Sequence, residues 1–250
     1  MPKPQLVLIP GAWHTLSCFE PLMSKLRTFG YTLHSSQLAS VGNPTPPVDL
    51  TADIAIVRSL VLSAIDSGEG GNDVVVLPHS WGGVVTGSAL VGLSKTEREA
   101  KGLKGGVVRT GYMAAYIVDE GTCLQDAINH FVPEWVHVQE PYVYARDARV
   151  FYSDLVEKEQ QYWFAQIQSQ ALASFYAPAT GASWKGIPTS YLLCEEDQCV
   201  PPIVQEAMVN GVKEAGGEIE VTRVKSGHSP FLSRVDETVQ WIRGVAGEVV

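Results

Sequence analysis

The strongest constraint on the fold is an abrupt connection between a strand and a helix in the first third of the chain. Residues 72–77, Asn-Asp-Val-Val-Val-Leu, end in an apolar run that is typical of a buried strand. A helix rich in small residues, 81–93, follows after a very short link. The chain must turn sharply there, which places the Ser80 hydroxyl at the tip of a strained turn, beside the N-terminus of the helix. Such a turn requires small neighbours, and Gly82 supplies one.

Strands and helices alternate along most of the chain. A capping box of Ser17 and Glu20 predicts the start of the first helix, and Gly30 its end. The other expected elements are strands at 5–9, 31–33, 106–112, 189–194 and 218–224, and helices at 54–65, 201–215 and 231–242. This alternation predicts an α/β fold with a mostly parallel central sheet, helices on both faces, and a ligand site beyond the carboxyl ends of the strands.

Residues 119–184 interrupt the alternation. They carry helical patterns but no convincing strand, so we expect an inserted helical cap within a single domain that spans residues 1–250. Between Phe131 and Trp184 the chain holds 12 of its 22 aromatic residues, which favours a lid with an apolar underside, although a small secondary core would also explain single members. The segment has nine Asp and Glu against three Lys and Arg, so strongly anionic ligands would be repelled.

Charge and composition argue against several classes of function. The formal net charge of -9 offers no polybasic surface for nucleic acid or anionic lipid. The apolar runs are strand-sized, and the N-terminus lacks the pattern of a signal peptide, so we expect a cytoplasmic protein. The four cysteines form no C-x-x-C pair or metal-ligand spacing, which predicts reduced thiols, most of them buried, and no metal site. The sequence leaves the oligomeric state open, a homodimer included.

Two further polar segments follow predicted strands. Glu195-Glu196-Asp197 comes after strand 189–194, and Ser226-Gly227-His228 comes after strand 218–224. The chain order of serine, acid and histidine is typical of one class of serine hydrolase. Ser80 would be the nucleophile and His228 the base that takes its proton, with an acid that orients the imidazole.

Several residues are candidates for the acid that orients His228, and the Ser80 motif has an alternative explanation. Glu195, Glu196 and Asp119 compete with Asp197 for the role of orienting acid. For the Ser80 motif taken alone, the alternative is a turn serine beside a helix cap, and the two further segments argue against it.

The loop after the first strand, residues 10–14, supplies further candidates. Its Ala12 N–H and the Trp81 N–H would stabilise a developing oxyanion, each donor being worth about 3 kcal/mol. A plain strand-to-helix connection is the alternative for this loop. We assign the substrate pocket to aromatic residues of the loop, the cap and the last helix: Trp13, His14, Trp135, Tyr162, Trp163 and Phe231. His14 could instead support the loop by a hydrogen bond, and His79 is expected to pack behind the turn.

These motifs resemble the α/β-hydrolase superfamily, and within it the small lidded branch of plant methylesterases, salicylate-type esterases and hydroxynitrile lyases. The resemblance covers nearly the whole chain. It depends on four segments: Leu8 to His14, His79 to Gly83, Glu196-Asp197 followed by Pro201, and Gly227 to Phe231. Two positions depart from the family pattern, since Pro10 stands where histidine is usual and Pro78 where glycine is usual.

The resemblance implies an α/β-hydrolase fold and acyl hydrolysis through an acyl-enzyme, with no metal or organic cofactor. The spacing of Asp197 to Pro201 matches the family and favours Asp197 as the acid. Ser229 follows His228 where the hydroxynitrile lyases have lysine, which disfavours cyanohydrin cleavage. Ser80 stands where dehalogenases and epoxide hydrolases have aspartate, which disfavours those activities.

The sequence thus predicts a serine hydrolase for a small, uncharged, aromatic or apolar ester, lactone or thioester. One alternative uses the same residues for C–C bond cleavage, cyclisation or acyl transfer in biosynthesis. Another is a ligand receptor on a hydrolase scaffold with negligible turnover.

Overall fold

The computed structural model describes residues 2–68 and 70–249. Its strands are β1 (Gln5–Ile9), β2 (Leu33–Ser35), β3 (Asp73–Pro78), β4 (Gly106–Met113), β5 (Val136–Gln139), β6 (Tyr142–Ala145), β7 (Gln170–Ala171), β8 (Thr189–Cys194) and β9 (Ile219–Val224). Six of them form one parallel sheet in the order β2-β1-β3-β4-β8-β9. The predicted parallel α/β architecture is confirmed.

Helices cover both faces of this sheet. They are α1 (Glu20–Thr28), α2 (Thr51–Asp66), α3 (Gly82–Ala89), α4 (Lys95–Glu99), α5 (Leu124–Ala127), α6 (Ala148–Tyr152), α7 (Glu157–Phe164), α8 (Ala173–Tyr176), α9 (Pro202–Glu214), α10 (Pro230–Ser233) and α11 (Val235–Val245), with short 3₁₀ helices at Leu16–Phe19 and Ser183–Lys185. None of the helices within the described ranges is long and apolar enough to cross a membrane.

Successive residues of the central strands belong to two different cores. In β1, Val7 packs into the core that contains α2 and α3, whereas Leu8 packs into the core that contains α1 and α11. Val76 and Leu77 of β3 divide in the same way. Because side chains alternate across a strand, a run that is apolar at every position needs cover on both faces. The continuous apolar runs of the sequence are therefore explained by burial on both sides.

Three local predictions are wrong. Ser17 donates its hydroxyl to Gln166 rather than capping a helix, so the chain enters α1 through a 3₁₀ turn. The second strand begins at Leu33 rather than Tyr31, because the Tyr31 N–H still bonds to the Leu26 carbonyl at the end of α1. The last helix is two helices, α10 and α11, because the backbone leaves helical geometry at Arg234.

Residues 119–184, which we call the cap segment, lie between β4 and β8. The expectation of helices alone is wrong for this segment, because β5, β6 and β7 form their own antiparallel sheet. The pairing of β6 with β7 joins residues far apart in sequence, which a search for local periodicity does not detect. Bridge pairing between Val41 and Gln170 links this small sheet to the loop before α2.

Candidate active site

Ser80 occupies the sharp turn between β3 and α3. Its backbone has a φ of 51°, in the left-handed region that a non-glycine residue rarely adopts. The helix behind it packs very closely: a Cβ at Gly82 would lie 2.5 Å from the Pro10 carbonyl oxygen, and one at Gly83 would lie 2.1 Å from that of Tyr116. These approaches explain why glycines follow the turn. The predicted strand–turn–helix unit is present, and Ser80 lines a cavity above it.

Asp197 and His228 form a buried pair at the ends of β8 and β9. The Nδ1 atom of His228 lies 2.8 Å from Oδ2 of Asp197, and neither side chain is exposed. Because a carboxylate only accepts, Nδ1 carries the proton and Nε2 is left as the basic nitrogen. Among the described residues Nε2 has no hydrogen-bond partner. It is therefore free to accept a proton.

The Asp197 carboxylate is held by several donors. Its Oδ1 accepts the N–H groups of Cys199 at 2.8 Å and Val200 at 2.9 Å, and its Oδ2 also accepts from Gln205 Nε2 at 3.2 Å. Glu195 and Glu196 are exposed, as is Asp119, which pairs with Lys185. Of the four candidate acids, Asp197 is the one that the structure places against His228.

The histidines of the site differ in basicity. Burial opposes protonation of His228, but the charge of Asp197 and the neighbouring Cys199 raise the pKa of His228 above its ordinary value. Burial, together with the nearby His228 and His14, lowers the pKa of His79 well below its usual range. The His79 Nε2–H donates to the His228 carbonyl at 2.9 Å, so this neutral ring supports the backbone of the base.

The two expected oxyanion donors flank the Ser80 turn. Gly11 packs so tightly that a Cβ there would lie 2.8 Å from the Cβ of Ser80. The next residue in the loop is Ala12, and both Ala12 and Trp81 line the same cavity as Ser80. Neither the Ala12 N–H nor the Trp81 N–H donates to a backbone or side-chain acceptor within residues 2–68 and 70–249. Both remain available to a ligand.

The cavity above Ser80 has a volume of about 300 Å³. Much of its wall is apolar and comes from the cap segment: Leu124, Ile128, Trp135, Val143, Leu172 and Phe175. The described residues that line it include no Asp, Glu, Lys, Arg or His. A charged group would therefore lose its hydration without gaining a partner of opposite charge.

Four residues that the sequence assigned to the substrate pocket lie outside it, whereas Trp13 and Trp135 line it. His14 is buried beneath the loop, where Nδ1 donates to the Ala12 carbonyl. Phe231 is fully buried behind the Ser80 turn against Phe19 and His79. Tyr162 is 61 % exposed on α7, where its ring packs on that of Trp163. The structure places these four outside the cavity, because aromatic content in a sequence does not show which face of an element meets the cavity.

Several residues at the site were not foreseen. Tyr116 and Gln125 line the cavity, and each is more than nine-tenths buried. Gln205, fully buried in α9, ties Asp197 to the carbonyls of Cys194 and Val200. The only sequence signal for Gln205 was its position as a glutamine on the apolar face of a helix. Its role depends on the loop that carries Asp197, which comes close to Gln205 only when the chain folds.

The parallel sheet order and the serine turn after its central strand define an α/β-hydrolase fold. The chain belongs to the alpha/beta hydrolase family, whose sequence profile matches residues 6–241. The resemblance inferred from the motifs is confirmed.

Individual relatives extend over the whole chain. The alpha/beta hydrolase nvfD of Aspergillus novofumigatus is 30% identical over 256 residues, covering 100% of this chain and 99% of that protein. A pyrethroid hydrolase from Sphingobium faniae has a similar structure, with a TM-score of 0.77 and 20% identity, covering 98% of this chain and 97% of that one. A methylesterase, MES16, from Arabidopsis matches with a TM-score of 0.68 and 18% identity, over 98% and 100% of the two chains. At these identities the two structures show the fold alone.

Proposed function

We propose that this protein is a serine hydrolase that cleaves a small, uncharged ester, lactone or thioester through an acyl-enzyme. The observation that carries the proposal is the buried Asp197–His228 pair. Its Nε2 has no partner among the described residues, and the backbone of His228 is bonded by His79, the neighbour of a serine held at a φ of 51°. A strained serine, an oriented base and two unpaired N–H donors are the parts that acyl transfer needs.

In the first half-reaction His228 Nε2 takes the proton of Ser80 as Oγ attacks the acyl carbon. The carbonyl oxygen becomes an oxyanion, which the N–H groups of Ala12 and Trp81 stabilise. His228 then gives its proton to the leaving alcohol or thiol, and the acyl group stays on Ser80. Water, activated by the same nitrogen, attacks in the second half-reaction and releases the acid. Asp197 keeps Nδ1 protonated throughout, so Nε2 is always the atom that exchanges the proton.

The cavity supports a neutral, largely apolar substrate. Its size suits a small molecule, and its walls carry no formal charge. Two polar side chains, Tyr116 and Gln125, make no side-chain hydrogen bond with any other described residue and would meet a carbonyl or hydroxyl of the substrate. The names of the similar structures, a pyrethroid hydrolase and a methylesterase, agree with ester hydrolysis.

The proposal is tested first by intact mass after exposure to a fluorophosphonate. We expect one adduct on the wild type and on the control Ser24→Ala, whose hydroxyl is exposed on α1. Ser80→Ala and His228→Ala should give none. A folded wild type that forms no adduct would contradict the proposal and favour a ligand receptor on this scaffold.

Hydrolysis is separated from other uses of the same residues by turnover of aryl esters and lactones in ¹⁸O-labelled water. A hydrolase places one solvent oxygen in the acid product. A C–C lyase, a cyclase or an acyl transferase consumes its substrate without that label. Unlabelled products together with a fluorophosphonate adduct would therefore replace the hydrolase by one of these activities.

A further inference from the structure

The residue after Ala12 has an unfavourable backbone conformation. Trp13 has a φ of 63°, although it is neither glycine nor asparagine. Its hydrogen-bond partners come from the cap segment. The Trp13 Nε1–H donates to the Val143 carbonyl at 3.0 Å, and the Trp13 carbonyl accepts from the Gln168 N–H at 2.8 Å. The conformation is therefore maintained by contacts with residues far away in sequence.

The peptide group between Ala12 and Trp13 is bonded at both of its polar atoms. Its N–H donates to Gln170 Oε1 at 3.3 Å, and its carbonyl accepts from His14 Nδ1 at 2.8 Å. A peptide that is held at both atoms cannot rotate about its neighbouring bonds without losing two buried hydrogen bonds.

Each of these two partners is itself held by the cap segment. Gln170 is fully buried, and its Nε2 donates to Ser174 Oγ at 2.7 Å. His14 uses Nδ1 as a donor, so its Nε2 accepts from the Tyr152 hydroxyl, 3.0 Å away. Burial outweighs the bond to Ala12 and lowers the pKa of His14 to about 4, so the ring stays neutral and keeps this pair of roles near neutral pH.

We propose that Gln170 and Tyr152 are positioning residues that lock the Ala12–Trp13 peptide, so that the preceding Ala12 N–H points at the oxyanion. This inference rests on the proposed hydrolase function. On its other side Ala12 follows Gly11, which is pressed against Ser80. Both neighbours of the Ala12 N–H are thus fixed, one by the Ser80 turn and one by the cap segment.

Removing either positioning residue has a specific consequence. Trp13 can then relax toward a negative φ, and the Ala12 backbone shifts with it. This shift displaces the Ala12 N–H, which lies one peptide before the released one, from its place opposite the reacting carbonyl. The donor matters most in the transition state, so kcat falls while KM is conserved. Neither Gln170 nor Tyr152 lines the cavity, so substrate binding has no direct contact to lose.

The experiment compares Gln170→Met and Tyr152→Phe with the control Gln166→Ala. Gln166 belongs to the same segment, but its side chain contacts Ser17 and Tyr162 instead of the Ala12 loop. Each protein is assayed for kcat and KM on a neutral aryl ester, and for amide hydrogen exchange in a peptic fragment covering residues 10–16. Tyr152→Phe removes only one oxygen atom, so it still tests the inference if Gln170→Met does not fold.

We expect both positioning variants to lose about tenfold in kcat, with KM within about twofold of the wild type. Exchange in residues 10–16 should accelerate about tenfold in Gln170→Met, which loses the acceptor for the Trp13 N–H. Gln166→Ala should match the wild type in all three quantities.

Unchanged exchange in Gln170→Met, or faster exchange with an unchanged kcat, would overturn the inference. So would a loss of activity that appears only as a higher KM. A wild type that hydrolyses none of the esters contradicts the proposed function instead, and the exchange data then decide separately whether the cap segment holds the loop.

Discussion

His228 and Asp197 meet through a single hydrogen bond of 2.8 Å between Nδ1 and Oδ2, with both side chains fully buried. They lie 31 residues apart in sequence but follow neighbouring parallel strands, β8 and β9. Because the carboxyl ends of parallel strands share one edge of the sheet, the two loops converge there. The pair is thus a direct product of the sheet topology.

Asp197→Asn should reduce kcat by about 10⁴-fold while leaving the fold intact. The amide can donate to the ring nitrogen that it faces, which stabilises the tautomer with Nε2 protonated and removes the base. Steady-state kinetics on a neutral aryl ester measure the loss. Glu196→Gln, at the exposed neighbouring position, is the control and should retain activity. The assignment of the acid fails if the Asn variant loses less than the control.

The free energy of unfolding should decrease as the pH falls from about 6.5 toward 4. The pKa of His14 in the folded protein is about 4, below its ordinary value of 6.5, so the unfolded chain binds more protons in this window. The contribution of His14 to stability is complete above pH 6.5 and is lost at up to about 1.4 kcal/mol per pH unit until the ring protonates in the folded state. Urea titrations at pH 7 and pH 4.5 measure the difference. His14→Asn should diminish it and the exposed His130→Asn should not; equal slopes in the two variants would refute this origin.

Two glycines of α3 should respond in opposite ways to alanine. At Gly83 the new Cβ would lie 2.1 Å from the Tyr116 carbonyl oxygen, and this overpacking should cost about 1–3 kcal/mol. At Gly87 the nearest atom, the Gly181 carbonyl oxygen, would be 3.5 Å away, so Ala should add about 1 kcal/mol through its helix propensity. Denaturant unfolding compares the two variants. Similar losses at both positions would mean that the close approach at Gly83 is not the cause.

An ester that carries a carboxylate should be cleaved at least about 100-fold less efficiently than its neutral isostere, measured as kcat/KM. The described residues that line the cavity offer no cation to pair with the added charge. The cap segment also carries nine acidic and three basic residues, whose repulsion is screened by salt. Raising the salt concentration should therefore recover only part of the loss. Equal efficiency for the two esters would contradict the proposed substrate class.

The sequence was sufficient to predict those features that depend on interactions between residues close together in the chain. A run such as Val74–Leu77 is apolar at every position because both faces of a central strand are covered, so its type and place were predictable. The turn at Ser80 followed from the short link between a strand and a helix, and the chain order of Ser80, Asp197 and His228 followed from the ends of the strands.

The sequence was insufficient where residues meet over long distances. The aromatic residues of the cap segment cannot be told apart by sequence, yet Trp135 lines the cavity and Tyr162 lies on the surface. The difference arises because packing against the other elements sets the orientation of each element. Ser17 has the pattern of a cap but bonds to Gln166, 149 residues later.

The sequence by itself therefore determined the parallel α/β sheet, the family and the segments that hold the candidate catalytic residues. These features depend on strand burial and turn sterics, which the residues of a short stretch of chain determine. The tertiary structure alone decided which side chains line the cavity and what holds Trp13 at a positive φ. Its partner Gln170 is 157 residues away, and no local pattern specifies a contact that exists only once the cap segment has packed against the first loop.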